Sequence, residues 1–372
     1  MNARERFTAT LKFEKTDRPF RWETPGIWGA TISRWKNEGL PDSVADGKVG
    51  ALDFFGMDKL FWLPFGTWTA DPFCPYFEHE ILEDDGTYVI EQGTDGIIKK
   101  NKKTNRETSM PQFLSFPVKT RKDYIDKIIW RYDYNTKERF PENWSESVKK
   151  YAVRDYPIGM FVIGPFGHIR NLMGDEEMMY ALWDEPDFIH EIMGNWCSFY
   201  QGFLKMVCSD VIPDMIMIWE DNCYRNGPLI SPDLFIEFML PYLKKVIDTA
   251  KSLNIPGIAL DTDGNCTKML PIYIEAGVNA FYPFECQAGM DIVEVRKQYG
   301  KQFAIIGGID KSLLADGHTE QQMYDEVDKK VRPMMELGGY IPMLDHTVPP
   351  NISYSMFIKF IEYVRKITDN RK

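Results

Sequence analysis

From about residue 156 onward the chain alternates short apolar runs with amphipathic stretches, and five of those runs in succession are followed by carboxylates. That rhythm constrains the fold more than any other feature, because repeated βα units bury a parallel sheet beneath helices. The strand candidates are Ile158–Ile163, Met215–Trp219, Gly257–Leu260, Ala280–Pro283, Phe303–Ile306 and Tyr340–Leu344. Each is nearly continuous in apolar residues, as strands covered on both faces should be. Helices are expected between them. Ser231-Pro232 offers an N-cap and a first-turn proline, followed by Phe235, Phe238, Tyr242 and Val246 on one face, with a kink at Pro241. Thr319 and Gln322 form a capping box ahead of the stripe Met323, Val327, Val331 and Met334, and Met356, Phe360 and Val364 make a last stripe.

These runs give six βα units. Pro19–Glu23 and Lys59–Leu63, with a helix over Ile32–Glu38 between them, supply two further strands. The expected fold is therefore α/β, a (β/α)8 TIM barrel forming a single domain over residues 1–372. An open doubly wound sheet is the alternative, but no GxGxxG follows any strand. Residues 77–103 break the rhythm: Asp85-Gly86 and Asp95-Gly96 are turn signals between runs rich in Tyr, Val and Ile. They predict an antiparallel β-hairpin insertion at about 77–117, either leaning over the barrel mouth or decorating its periphery.

Composition removes several function classes. Lys+Arg 44 against Asp+Glu 55 gives a net charge of −11, the wrong sign for a non-specific nucleic-acid binder. The local run Lys99, Lys100, Lys102 and Lys103 reads as a solvated turn. No stretch approaches the length of a membrane span, and the charged start MNARERFTATLKF lacks the apolar core of a signal peptide. The six cysteines show no CxxC pair and read as buried fillers in a reducing compartment. A cytoplasmic location is expected, and a homodimer is compatible with it.

In a βα barrel the chemistry gathers where the strands end. Here Glu220-Asp221, Asp261-Thr262-Asp263-Gly264, Glu285-Cys286, Asp310-Lys311 and Asp345-His346 follow consecutive strands. Carboxylates crowded into one mouth repel one another, so they raise their pKa values or recruit a cation. Such a cluster is a metal site or a proton-handling site. Each member also has a plain structural reading: Asp263 or Asn265 could cap a helix, Asp310 could pair with a lysine, and His346 could be a core histidine bonded to Asp345. Asp261 and Glu220 are the catalytic candidates. His168, in Gly164-Pro165-Phe166-Gly167-His168, is expected in the loop after the third strand, where it could donate to a substrate oxygen or be an ordinary loop histidine. Among the aromatics, Trp62 reads as core, whereas Trp22, Trp28, Trp68, Tyr224 and Tyr282 are candidate walls of an apolar substrate pocket.

The motifs Asp261-Thr262-Asp263-Gly264, Glu285 to Asp291, Gly307-Gly308-Ile309-Asp310-Lys311 and Asp345-His346-Thr347-Val348-Pro349-Pro350 resemble the uroporphyrinogen decarboxylase superfamily. Gly164-Pro165-Phe166, Arg4-Glu5-Arg6-Phe7 and Asp17-Arg18-Pro19 extend the likeness over most of the chain, leaving out only the insertion. The resemblance implies the barrel independently. It also implies two activities: porphyrinogen decarboxylation and corrinoid-linked methyl transfer. The decarboxylases bind substrate carboxylates with an N-terminal RQAGR-like segment. The corresponding stretch, Arg18 to Gly26, lacks its second arginine and carries Glu23 and Trp22 instead. A polyanionic substrate would meet an acidic, aromatic mouth.

The methyltransferase branch is more apt. Its thiol-methylating members hold zinc through an H-x-C-G motif and a later cysteine, and the similar positions here are Asp261, Asp263-Gly264 and His346. The thiolates are missing, so the resemblance implies an oxygen-rich zinc site of Asp261, Asp263, Glu285 and His346, with Glu220, Cys266 and Cys286 as substitutes. Such a site would act as a harder Lewis acid on a methyl ether. The expectation is an O-demethylase component that moves a methyl group from a small methoxylated aromatic to cobalamin carried by a partner corrinoid protein. A metal-free decarboxylase of a smaller substrate and a non-catalytic corrinoid-protein binding partner are the alternatives.

Overall fold

The computed structural model describes residues 1–23, 26–44, 52–66, 71–105 and 110–369. Trp68 lies outside them. Seven parallel strands form one sheet in the order β1 (Phe61–Trp62), β6 (Ile158–Ile163), β7 (Met215–Trp219), β10 (Gly257–Asp261), β11 (Ala280–Tyr282), β12 (Ala304–Ile306) and β13 (Tyr340–Ile341). Spatial order follows chain order without reversal. This excludes the doubly wound alternative, which needs a switch point.

The other expected stave behaves differently. Pro19–Glu23 runs between the two sheet edges without forming a regular strand. On one side Asp58 N donates to Arg21 O (2.8 Å), just ahead of β1. On the other, Leu344 N donates to the Glu23 side chain (3.0 Å), and Ile27 forms a parallel bridge with Val348. Proline at position 19 removes one ladder donor, and the Glu23 carboxylate replaces part of the backbone pairing.

Alternation along each strand divides the apolar residues into two groups. Ile216, Ile218, Ile258, Leu260, Phe281 and Ile305 face the helices and join the larger core. Phe20, Trp22, Met215, Met217, Ala259, Ala280, Tyr282, Ala304, Ile306 and Met343 face inward and form a second cluster. The parallel register aligns the inward residues in rows. Phe161, Met217, Ala259, Ala280 and Ala304 make one row, and Ile163, Trp219, Asp261 and Tyr282 make the next toward the strand ends. Aromatic and large residues thus line one half of the interior and alanines the other. Trp62 stacks on Phe161 at 3.9 Å, which Gly159 permits because a Cβ there would lie 2.3 Å from the indole.

The helices follow their signals. Ser231 caps Leu234 N, and Thr319 and Gln322 form the capping box of helix Glu320–Leu337. The stretch with Pro241 breaks rather than kinks, into Pro232–Phe238 and Leu240–Ser252, since proline cannot donate to the preceding turn. The expected helix Ile32–Glu38 begins earlier, at Gly29. The insertion is a four-stranded antiparallel sheet of β2 (Glu80–Asp84), β3 (Tyr88–Gln92), β4 (Ile98–Lys102) and β5 (Gln112–Ser115). It leaves the carboxyl end of β1, the side on which βα connections build the mouth. A short hairpin of β8 (Cys223–Tyr224) and β9 (Gly227–Pro228) follows β7. Among the described residues, no helix is long and apolar enough to cross a membrane.

Candidate active site at the strand ends

The inward row decides which strand-end residues can meet a ligand. Asp261 and Tyr282 are register partners at the ends of β10 and β11, and both point inward. Both are buried, and burial raises the Tyr282 phenol well above its ordinary value, with Asp261, Asp263, Glu23 and Asp345 adding to the rise. The phenol therefore stays protonated. Trp219 lies beside Asp261 in the same row, and its ring is covered by the Arg170 guanidinium at 4.9 Å. Trp219, Trp62 and Phe161 each keep part of their surface open. They are the partly open aromatic faces of the inward rows. Trp62, expected to be plain core, is one of them, while Trp22 is 5% exposed and packs among Phe20 and Trp62 in the inner cluster.

Above this row stands a polar rim. His346 Nε2 lies 3.3 Å from Asp263 Oδ2, and both are partly open to solvent. Asp221 adopts a left-handed backbone (φ 46°), uncommon for a non-glycine residue, and pairs through Oδ2 with Arg170 Nη2 at 3.0 Å. Burial raises its pKa and Asp263 adds to that, while Arg170 and His346 oppose it. Asp221, Asp263 and His346 thus share one electrostatic neighbourhood. Glu285 supports the rim from below by accepting Gly264 N (3.0 Å). Tyr224 is 69% exposed on the hairpin that abuts Gly264, and Trp28 N donates to Val348 O near the same edge.

Other candidates go elsewhere. Glu220 follows the outward phase of Ile216 and Ile218, and its Oε2 accepts Phe166 N (2.9 Å) and Gly167 N (3.3 Å) at the start of helix Pro165–Asp184. There its oxygen accepts two of the first-turn amides that the helix itself leaves unpaired. Burial pushes its pKa up to about 8, so it is largely neutral at pH 7. Glu23 is similarly buried and similarly raised to about 8. Asp345 accepts Cys286 N and Lys311 N, tying two strand-end loops together, and Asp310 caps Ser312 N.

His168 is not in a loop. It occupies the first turn of helix Pro165–Asp184, wholly buried, with Nδ1 2.6 Å from Asp71 Oδ1, a carboxylate that also accepts Tyr132 OH. Glycine and proline in Gly164-Pro165-Phe166-Gly167 suggest a loop, but proline at the first helical position is also a start signal. Arg170 and Asp71 carried no motif and escaped sequence reasoning. Only the spacing of Arg170 two residues beyond His168, in the first turns of a helix leaving a strand end, could have marked it.

The zinc set does not assemble. Among the described residues no three His, Cys, Asp or Glu side chains are grouped so as to hold a metal ion. Asp263 and His346 meet each other, Glu285 holds a backbone amide, and Asp261 lies deeper in the inward row. As arranged, these donors do not fit the tetrahedral shell that zinc requires.

A chain-ordered parallel sheet with an inward acid, a buried phenol and an open acid–imidazole rim defines a βα protein with a strand-end site. Residues 144–367 match the family model described as Uroporphyrinogen decarboxylase (URO-D), and the chain belongs to that family. It is similar to the uroporphyrinogen decarboxylase of Chlorobium limicola, 24% identical over 206 residues that cover 54% of each chain. It is also similar to the methylcobamide:CoM methyltransferase MtbA of Methanosarcina acetivorans, 25% identical over 186 residues, 49% of this chain and 51% of that one. The chain spans about half the length of the curated relatives it matches. Among solved structures, a methyltransferase from Methanosarcina mazei shares the fold across 98% of this chain and 99% of its own, with a TM-score of 0.62 at 14% identity.

Proposed function

We propose that this protein is a corrinoid-dependent methyltransferase that takes a methyl group from a small methoxylated aromatic and passes it to a corrinoid protein. In this reading Pro19–Glu23 closes the seven-stranded sheet as an eighth stave, and the chain is one (β/α)8 barrel domain carrying the β insertion.

One observation carries the proposal. The inward row sets an acid and a phenol against half-open tryptophan and phenylalanine faces, while the arginines of the N-terminal stretch are turned away. Arg18 is bidentate to Asp58 (2.6 and 2.7 Å), and Arg21 pairs with Asp369 at 2.5 Å. Arg4 and Arg6 are likewise engaged with Asp214 and Asp17. Among the described residues of that stretch every arginine is engaged by a carboxylate and none is left for a polyanionic porphyrinogen, whereas a neutral aromatic ether suits the walls. The MtbA relatives within this family support methyl transfer.

A reduced corrinoid carried by a partner would supply the electron pair that bonds to the methyl carbon. As the carbon–oxygen bond breaks, its pair stays on the aryl oxygen, which must gain a proton. The Tyr282 phenol, held protonated, donates a hydrogen bond to that oxygen and stabilises the charge that develops there. Asp261 accepts a hydrogen bond from a ring hydroxyl beside the ether of a methoxyphenol and so orients it. His346, bonded to Asp263 at the open rim, relays the proton from solvent. The zinc anticipated from the resemblance has no step in this scheme.

The test is incubation of the purified protein with methoxyphenols and reduced corrinoid acceptor, following methylcobalamin formation by absorbance. Methyl transfer that depends on Tyr282 supports the reading. No transfer from a broad panel of methoxyarenes overturns it. The URO-D relatives favour a second reading, decarboxylation of a small acid, which would register as carbon dioxide release without any corrinoid.

A further inference from the structure

Cys286 and Lys330 lie outside the chemistry above, yet they form the closest meeting of a thiol and an amine in the described structure. Lys330 is 4% exposed on helix Glu320–Leu337, and its Nζ is 2.9 Å from Cys286 Sγ. That is the length of an ordinary nitrogen–oxygen hydrogen bond, although sulfur is the larger atom. The same Nζ donates to Gly308 O at 2.9 Å and pairs with Glu326 Oε1 at 2.6 Å. Cys286 is fixed on its other side, since its N donates to Asp345 and its Sγ lies 3.3 Å from Gly308 O. The thiol is half-buried, which leaves it within reach of a small oxidant.

We propose that Cys286 and Lys330 form a reversible covalent bridge through a single oxygen atom when the protein meets molecular oxygen. An oxygen atom bonded to both would hold nitrogen and sulfur at nearly the separation already present. Thiol, amine and O2 give the N–O–S bridge and one water. The S–H bond and one N–H bond break, and an S–O and an N–O bond form. Sulfur and nitrogen give up two electrons each, and both oxygen atoms are reduced, one into the bridge and one into water. The ammonium proton of Lys330 passes to Glu326, its ion-pair partner. Two dithiols, each giving two electrons and two protons as it closes to a disulfide, break the S–O and N–O bonds and return thiol, amine and one water.

The bridge has a consequence at the rim. It fastens the loop after β11 to helix Glu320–Leu337, and that loop carries Glu285, which holds Gly264 beside Asp263. Burial raises the Cys286 thiol, so generic attack by its thiolate is disfavoured and proximity to the amine sets the selectivity.

The test is peptide mass spectrometry of protein kept under dithiol reductant and of protein exposed to air. The expected product after air is one cross-linked peptide pair joining Cys286 to Lys330, heavier by one oxygen and lighter by two hydrogens, uncleaved by trypsin at Lys330. It disappears on dithiol treatment and is absent from Cys286→Ser. Lys330→Arg, which keeps the charge beside Glu326, provides a second negative control should Cys286→Ser fold poorly. Separate peptides with a free, singly oxidised or disulfide-linked Cys286 overturn the proposal. So does a direct sulfur–nitrogen link lacking the oxygen.

Discussion

Glu220 and Asp261 both terminate a strand, on neighbours β7 and β10, and they do opposite things. Asp261 continues the inward phase of Ala259 and meets Tyr282. Glu220 continues the outward phase of Ile218 and closes the amino end of a helix. One step along an extended backbone turns a side chain to the other face of the sheet. An acid at a strand end therefore faces the interior of the sheet or the helix layer according to its parity, and proximity in sequence says nothing about which.

The comparison is most exposed to breakage at the inward position. Asp261→Asn should lower kcat for methyl transfer by ~10²–10⁴-fold with the thermal midpoint little changed. A mutant that keeps full activity would remove the distinction between the two faces. Glu220→Ala should do the reverse. It leaves the amides of Phe166 and Gly167 buried without an acceptor, costing about 2–4 kcal/mol in denaturant unfolding.

A pH series sharpens the contrast. Glu220 and Glu23 are neutral in the folded protein up to about pH 8, whereas the unfolded chain ionises them near 4.5. Between those values the unfolded state binds fewer protons, so stability is fullest below 4.5, falls as pH rises, and levels off above 8. Glu220→Gln, which mimics the neutral acid, should flatten part of that slope in thermal melts at pH 5, 6.5 and 8. An unchanged slope would mean that Glu220 is ionised in the fold. The smallest stability effect belongs to the rim: His346→Ala should shift unfolding by less than about 1 kcal/mol, because its partner Asp263 is solvent-screened, while methyl transfer still drops ~10-fold or more.

Much of this was legible beforehand. The strands Ile158–Ile163 and Met215–Trp219 match their predicted bounds because long apolar runs leave little choice of register. The insertion was legible from two Asp-Gly turns, and its strands fall within the expected residues. Two things were only partly legible. The strand β1 is two residues long, and its neighbour Pro19–Glu23 pairs partly through a side chain, so neither leaves a strong periodic trace. At the site, the residue types at the strand ends could be read, but not which of them share a face. Seven acids at five strand ends look alike until the phase of each strand is known. His168 illustrates the same loss, since its partner Asp71 is 97 residues away in sequence.

The insertion's outermost strand has a bearing on how the protein keeps company with copies of itself. All five residues of β2 are exposed, and among the described residues no strand pairs with its outer side. A bare strand of that kind invites another chain to dock alongside and extend the ladder. Glu80, Glu83 and Asp85 put negative charge along that border, while Asp84 is paired with Lys103 at 2.6 Å, and a second copy docking there would meet the same acids. That border therefore repels a copy of itself, which works against its templating a fibre.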